Sequence, residues 1–380
     1  MERVIVAAGG DVSTGFEPPQ SGFTHVMEPL RSADVRFAQV ERLYSERGSF
    51  QETALHSHAR QHPRKAADFK SVPFDVLSIG SNHTGDWGPE AVEDTAETFR
   101  KLGIPTVGAG RNIAEARKAV VLERKGLRIA FLGYVSVVAP QYWATQTRAG
   151  SAPMRARTYY EPYEFQPGAP ARVATTPYEE DLELLVRDVR QAKQDADVVF
   201  VSMHWGLHWY WRPTDYQPVV AHAAIDAGAT AILGHHPHQM QGIELYQGGV
   251  IFYSIGNFSF WQIPGGKSGH PSQPRAAPSG EYTFDEIYTL EPDPGFVFHF
   301  KRHFNEGGIA FLEVDRQGLA RASFLPTLMN PFGQPEVVRP GEPQFAKSLE
   351  YLNWAGKFIA GGATQIKAAG DRYEVFKRAG

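Results

Sequence analysis

Two apolar runs of strand type, Val198–Met203 and Ala231–Leu233, each stop at histidine, and this limits the fold more than any other feature. The first run ends at His204; the second passes through Gly234 to His235, His236 and His238. Histidines that follow buried strands stand on loops held by a rigid scaffold, where binding groups tend to be placed. Imidazole is the commonest metal ligand and the usual acid or base of enzymes. In His236-Pro237-His238 the proline restricts the backbone, so the two rings have few relative orientations. The stretch from Asp197 to Phe260 reads as half of a metal site.

The rest of the chain repeats the pattern of a strand ending in polar residues. Val4–Ala8 reads as a buried strand, with Gly9-Gly10-Asp11 placing a carboxylate just past its end. Phe23–Ala33 reads as a short helix, followed by a strand over Asp34–Val40 and then Glu41. Phe74–Gly80 runs into Ser81-Asn82-His83-Thr84-Gly85-Asp86. A helix follows with Pro89 in its first turn, closed by Gly103. Ile104–Val107 and Leu127–Tyr134 are further strands, with Gly108-Ala109-Gly110 as a tight turn between them. Helices are expected from Thr176-Pro177 to before Asp197, from Thr214 to Gly228 and over Pro343–Ile359, and a hairpin over Gly308–Asp315 and Ala320–Leu325. Ser45–Arg64, with His56, His58 and His62, reads as a solvated surface segment. Pro140–Pro177 shows no clear period and reads as an aromatic excursion covering a substrate; Pro264–Pro294 is a second irregular region. Strands alternating with helices argue an α/β fold. One domain is expected over 1–330, with a helical extension over 331–380 packed on it.

Composition narrows the chemistry. The 380 residues carry a net charge of -4 and show no basic stripe, so nucleic acid is not an expected partner. With no cysteine, thiolate metal sites and a cysteine nucleophile are excluded. No apolar run reaches the ~18 residues of a membrane span. With no signal-peptide pattern either, a cytoplasmic protein without membrane partners is expected.

Collected in chain order, the strand-end polar residues are Asp11, Glu41, Asn82, His83, Asp86, His204, His236 and His238. Two carboxylates, an amide oxygen and three histidines suit a pair of divalent Mn, Fe or Zn ions. Such a pair lowers the pKa of a shared water and so supplies hydroxide as nucleophile. His83 would face the substrate as general acid or anion donor, with Asp86 fixing its tautomer. Trp205, Trp209, Tyr210 and Trp211 are expected to form a stacking wall, with Arg212 able to hold a carboxylate or phosphate.

Gly10-Asp11, FDVLSIGSNHTGDWG, SMHWG, AGATAILGHHPHQMQGIELYQGGVIFYSIGNFSF and the segment from Gly103 to Tyr134 together resemble the CapA/PgsA family, named from bacterial poly-γ-glutamate capsule synthesis. The match covers about residues 3–260. The resemblance implies a calcineurin-like metallophosphoesterase fold, a four-layer α/β/β/α sandwich with metals at the strand ends. It implies Asp11, Asn82, His204, His236 and His238 as ligands, His83 as the catalytic histidine, and His235 behind the ligands. Where the family shows Asn-x-Glu this chain has Gln39-Val40-Glu41, and where it has glutamate after HWG this chain has His208. His208 is expected to serve this protein's own substrate as an acid or base. Capsule-linked members carry an N-terminal membrane anchor, of which this sequence shows no sign.

Three functions fit these residues: a metal-dependent hydrolase of a small phosphoester or amide, aromatic ones included; a metal-dependent lyase of the retro-aldol or elimination type acting on an aromatic catabolite; and a non-catalytic accessory of poly-γ-glutamate capsule synthesis.

Overall fold

The structure is a computed structural model describing residues 2–16, 21–51, 60–162, 164–168, 171–261, 302–359 and 364–379. Two β-sheets pack face to face, with helices on both outer faces. In the larger, ten-stranded sheet, Val4–Ser13 is central. It pairs in parallel with Val35–Val40 on one side; on the other it pairs antiparallel with Glu306–Asp315 and then in parallel with Asn257–Phe260. Val76–Ser78 and Thr106–Val107 extend this sheet one way; Gly318–Met329, Arg372–Lys377 and Lys367–Ala369 extend it the other. The six-stranded sheet has Val198–His204 between Leu127–Val135 and Ala231–His235, all parallel.

Side chains alternate across each strand and so feed three cores. Val6, Ala8, Phe37, Phe131, Phe200 and Leu233 fill the space between the sheets. There Phe37 and Phe131 stack at 5.7 Å, and Phe131 and Phe200 at 5.2 Å. Val199 and Val201 face the helices Glu179–Asp195 and Tyr216–Asp226 through Leu185, Val189 and Val220. Ala7, Ala38 and Leu77 face Pro89–Lys101 and the shorter helices through Val92, Phe99 and Phe69. The layers are therefore α/β/β/α, the order the family resemblance implied.

Several expectations change in detail. The first strand does not stop at Ala8 but continues to Ser13, because parallel pairing with Asn257–Phe260 takes over from Asp11 onward. Asp11 thus lies inside a strand, at a bulge, rather than beyond one. Pro140–Pro177 is not irregular throughout: Ala156–Pro162 and Ala171–Pro177 form an antiparallel hairpin. Both its strands are largely exposed, so no alternation of apolar residues announces them. The chain after residue 330 is not only helical. Beside the helix Pro343–Gly356 it supplies Pro335–Val337 and the last two strands at one end of the larger sheet, Arg372–Lys377 and the edge strand Lys367–Ala369. Pro264–Pro294, His56 and His58 lie outside the described residues. Among the described residues no helix is long and apolar enough to cross a membrane.

Candidate metal centre

The site lies where strands of both sheets end together. Asp11 is the register partner of Asn257 in the larger sheet, and His204 of His235 in the smaller. Gly10 is required by this convergence: a Cβ there would lie 1.9 Å from Gly256 O. With that space open, Asp11 N–H donates to Gly256 O at 3.0 Å. Glu41 follows directly on Val35–Val40, its N–H donating to Val12 O at 2.9 Å. Gln39, at the departure from the family pattern, is fully buried and donates to Gly80 O at 2.8 Å, steadying the turn that presents Asn82 and His83.

His236 and His238 both adopt left-handed backbone conformations, with φ 97° and 53°. For side chains with a Cβ this costs on the order of 1–3 kcal/mol each and persists only where surroundings enforce it. The enforcing contacts are visible: His236 N–H donates to Asp11 Oδ2 at 3.0 Å, and His238 Nδ1 lies 2.7 Å from Asn257 Oδ1. Around these, His204 Nε2 is 2.9 Å from Asn82 Oδ1, and its Nδ1 is 3.8 Å from Asp11 Oδ1. His238 Nε2 is 2.9 Å from Glu41 Oε1, an ion pair. His83 pairs with Asp86 at 2.6 Å through Nδ1 and keeps Nε2 4.0 Å from Glu41 Oε1. The His208 ring lies 4.0 Å from that of His236 and 5.4 Å from that of His238.

Burial governs the electrostatics. Asp11 is pushed up to about 8, by burial first and then by the charge of Glu41. Burial would raise Glu41 as well, but His238, through charge and contact, holds it well below the carboxylate range. The same partnership overrides the effect of burial on His238 and lifts it to about 9. Burial pushes His204 and His236 well down, and His235 to about 3. Burial therefore keeps His204, His235 and His236 neutral, the form in which an imidazole nitrogen can bind a cation.

Divalent cations fit these residues. Asp11 Oδ1, Glu41 Oε2, His204 Nδ1 and His236 Nδ1 are buried without a hydrogen-bond partner. Each such atom carries a desolvation penalty of ~1–3 kcal/mol that a ligand would relieve. The donors are oxygen and imidazole nitrogen, as Mn, Fe and Zn accept. Among the described residues no three His, Asp or Glu side chains are yet gathered around one ion position. Loading would have to draw them inward from their present separations.

Of the residues named from sequence, Asp11, Glu41, Asn82, His83, Asp86, His204, His208, His236 and His238 come together here. The expected stacking wall does not. Trp205 is fully buried in the core under the helices, its Nε1 donating to Tyr253 O at 2.9 Å. Tyr210 and Trp211 are buried in the inter-sheet core, and Trp211 packs on Trp354 of the C-terminal helix at 5.8 Å. Arg212 donates to Tyr210 OH at 2.8 Å. Only Trp209 borders the cluster, stacked on His208 at 5.5 Å and beside Phe304 at 5.7 Å. The excursion instead brings Tyr142 against Gly85 in the His83–Asp86 turn, where a Cβ would overlap its ring. Asn257 was not singled out from sequence, although the GNF motif contains it.

Two sheets packed between helix layers, with a buried cluster of histidine and carboxylate where their strands end, define the class as an α/β/β/α sandwich with its polar cluster at one rim. Residues 6–262 match the model of the family described as bacterial capsule synthesis protein PGA_cap, and the chain belongs to that family. The capsule biosynthesis protein CapA of Bacillus anthracis is 29% identical over 246 residues, 63% of this chain and 54% of that protein. The PGA biosynthesis protein CapA of Bacillus subtilis (strain 168) is 30% identical over 263 residues, 69% of this chain and 60% of that protein. The chain thus spans little more than half the length of these curated relatives. A solved phosphatase from Mycoplasma pneumoniae is similar over 91% of this chain and 97% of its own, at 13% identity and a TM-score of 0.46, too distant to bear on activity.

Proposed function

We propose that this chain is a metal-dependent hydrolase of the capsule synthesis family, acting on a small phosphoester or amide. The observation that carries the proposal is the group of buried donor atoms without a hydrogen-bond partner, Asp11 Oδ1, Glu41 Oε2, His204 Nδ1 and His236 Nδ1, beside the His83–Asp86 pair. Asp11, Glu41, Asn82, His204, His236 and His238 would hold two divalent cations. Bound there, such ions supply Lewis acidity toward phosphoryl or carbonyl oxygens and acidify water. Asp86 holds the Nδ1 hydrogen of His83, so Nε2 is the atom that holds or moves a proton. The His83 side chain keeps 22% of its surface exposed, enough to meet a substrate directly. His208 stacks on His238 at 5.4 Å and lies tilted against His236 at 4.0 Å, a position from which it would serve the substrate as an acid or base beside the cations.

The test is a screen of small phosphoesters and amides with metal-loaded protein, products read by mass spectrometry. Products whose masses sum to substrate plus water support the reading. The names of the Bacillus relatives favour a second reading, an accessory of capsule polymer synthesis. A chain that binds metal yet turns over no phosphoester or amide would favour that second reading.

A further inference from the structure

We infer that Asn257 is a positioning residue that decides which ring nitrogen His238 turns toward the cluster, a proposal resting on the cation-binding reading above. Asn257 opens the strand Asn257–Phe260, is 1% exposed and lies opposite Asp11 in the parallel register. Its amide has one orientation. Nδ2 donates to Phe304 O at 2.9 Å and lies 3.5 Å from His238 O. Both neighbours are carbonyl oxygens, which only accept, so the NH2 group must face them and Oδ1 must face His238. Oδ1 is 2.7 Å from His238 Nδ1 and cannot donate, so Nδ1 must carry the hydrogen. Nε2 is then the nitrogen presented to the cluster, and it stands 2.9 Å from Glu41 Oε1. Asn257 also reaches the carbonyl of the same residue, whose φ of 53° needs outside support. One amide thus fixes the tautomer, the ring plane and part of the strained backbone. Histidines that bind metal generally depend on such a partner at the other ring nitrogen.

The experiment separates this from a packing role with two variants. Asn257→Asp keeps an acceptor opposite Nδ1 and loses the donor to Phe304; Asn257→Leu loses both. Zn2+ affinity, measured by titration calorimetry, should fall ~10–100-fold in Asn257→Leu and stay near wild type in Asn257→Asp. Ring-nitrogen NMR of the Zn2+-loaded wild type, with the His238 signals assigned by His238→Ala, should show a hydrogen on Nδ1 and the metal at Nε2. Metal at Nδ1 overturns the inference. So does an equal loss in both variants, which would place the effect at Phe304, or unchanged affinity in Asn257→Leu. Should Asn257→Leu fail to fold, the ring-nitrogen assignment decides, and lost affinity in Asn257→Asp counts against the inference. A wild-type chain that takes up no Zn2+ overturns the metal reading itself, whereas uptake indifferent to Asn257 overturns this inference alone.

Discussion

Asp68, which opens the short helix Asp68–Ser71, is as fully buried as Asp11, yet both its oxygens are engaged. Gly22 N–H donates to Oδ1 at 3.0 Å and the Thr14 hydroxyl donates to Oδ2. Thr14 is itself fixed, since its carbonyl accepts from Tyr44 OH at 2.7 Å. Asp11 has one oxygen bonded to His236 N–H and the other left bare among histidines. Burial is therefore no mark of a functional carboxylate. Asp68 ties the loop after the first strand to a helix; Asp11 is kept short of partners, in the company of other donors kept short of them.

The largest expected effect of breaking this contrast is at Asp11. Asp11→Asn should lose metal by more than the ~10–100-fold that removal of a supporting partner costs, and activity with it. Elemental analysis of protein purified without chelator reads the loss; unchanged metal content would remove Asp11 from the ligand set. His83→Ala should keep its metal but lower turnover by roughly 10²–10⁴-fold, the usual worth of a positioned acid or base. Metal lost along with turnover would make His83 a ligand instead. Asp68→Ala should do the reverse of Asp11→Asn. It strands two buried donors at ~1–3 kcal/mol each, lowering stability in chemical denaturation while metal content holds.

The smallest expected effect is a drift of thermal midpoint with pH in chelated protein. Asp11, raised to about 8, and His238, raised to about 9, both bind protons more tightly folded than unfolded. Their contribution is complete below the unfolded values and fades as pH rises through 8 and then 9. Glu41, shifted the other way, matters only in acid, where its contribution is lost as pH falls below the ordinary carboxylate range. Chelated protein should thus melt a few degrees lower at pH 9 than at pH 6, and Asp11→Asn should flatten part of that slope. A flat wild-type curve would mean the cluster rearranges when empty.

What the sequence made legible, and what it hid, follows from how far each side chain's partners lie along the chain. Val198–Met203 is apolar but for Ser202 because both its faces are covered, so the strand and the His204 after it could be read directly. Trp205 was misread as a wall residue, although it follows His204 and so points to the opposite face. Tyr210 and Trp211 gave no such hint, since what buries them includes Trp354, far down the chain. Asn257 was equally silent, because its meaning depends on Phe304 and His238 together.

The central place of Val4–Ser13 has a consequence for how the molecule is made. Its neighbours on one side, Asn257–Phe260 and Glu306–Asp315, emerge from the ribosome some 250 to 300 residues later. Until then this apolar strand has one open edge, and unpaired strand edges on partly folded chains invite aggregation. Contacts so distant in sequence close slowly, because loop closure must come before they reward it. Asp11 and His236 lie 225 residues apart in sequence, so a cation held by both, as proposed, would be captured only after that long-range contact forms, and a nascent chain would offer it only scattered ligands.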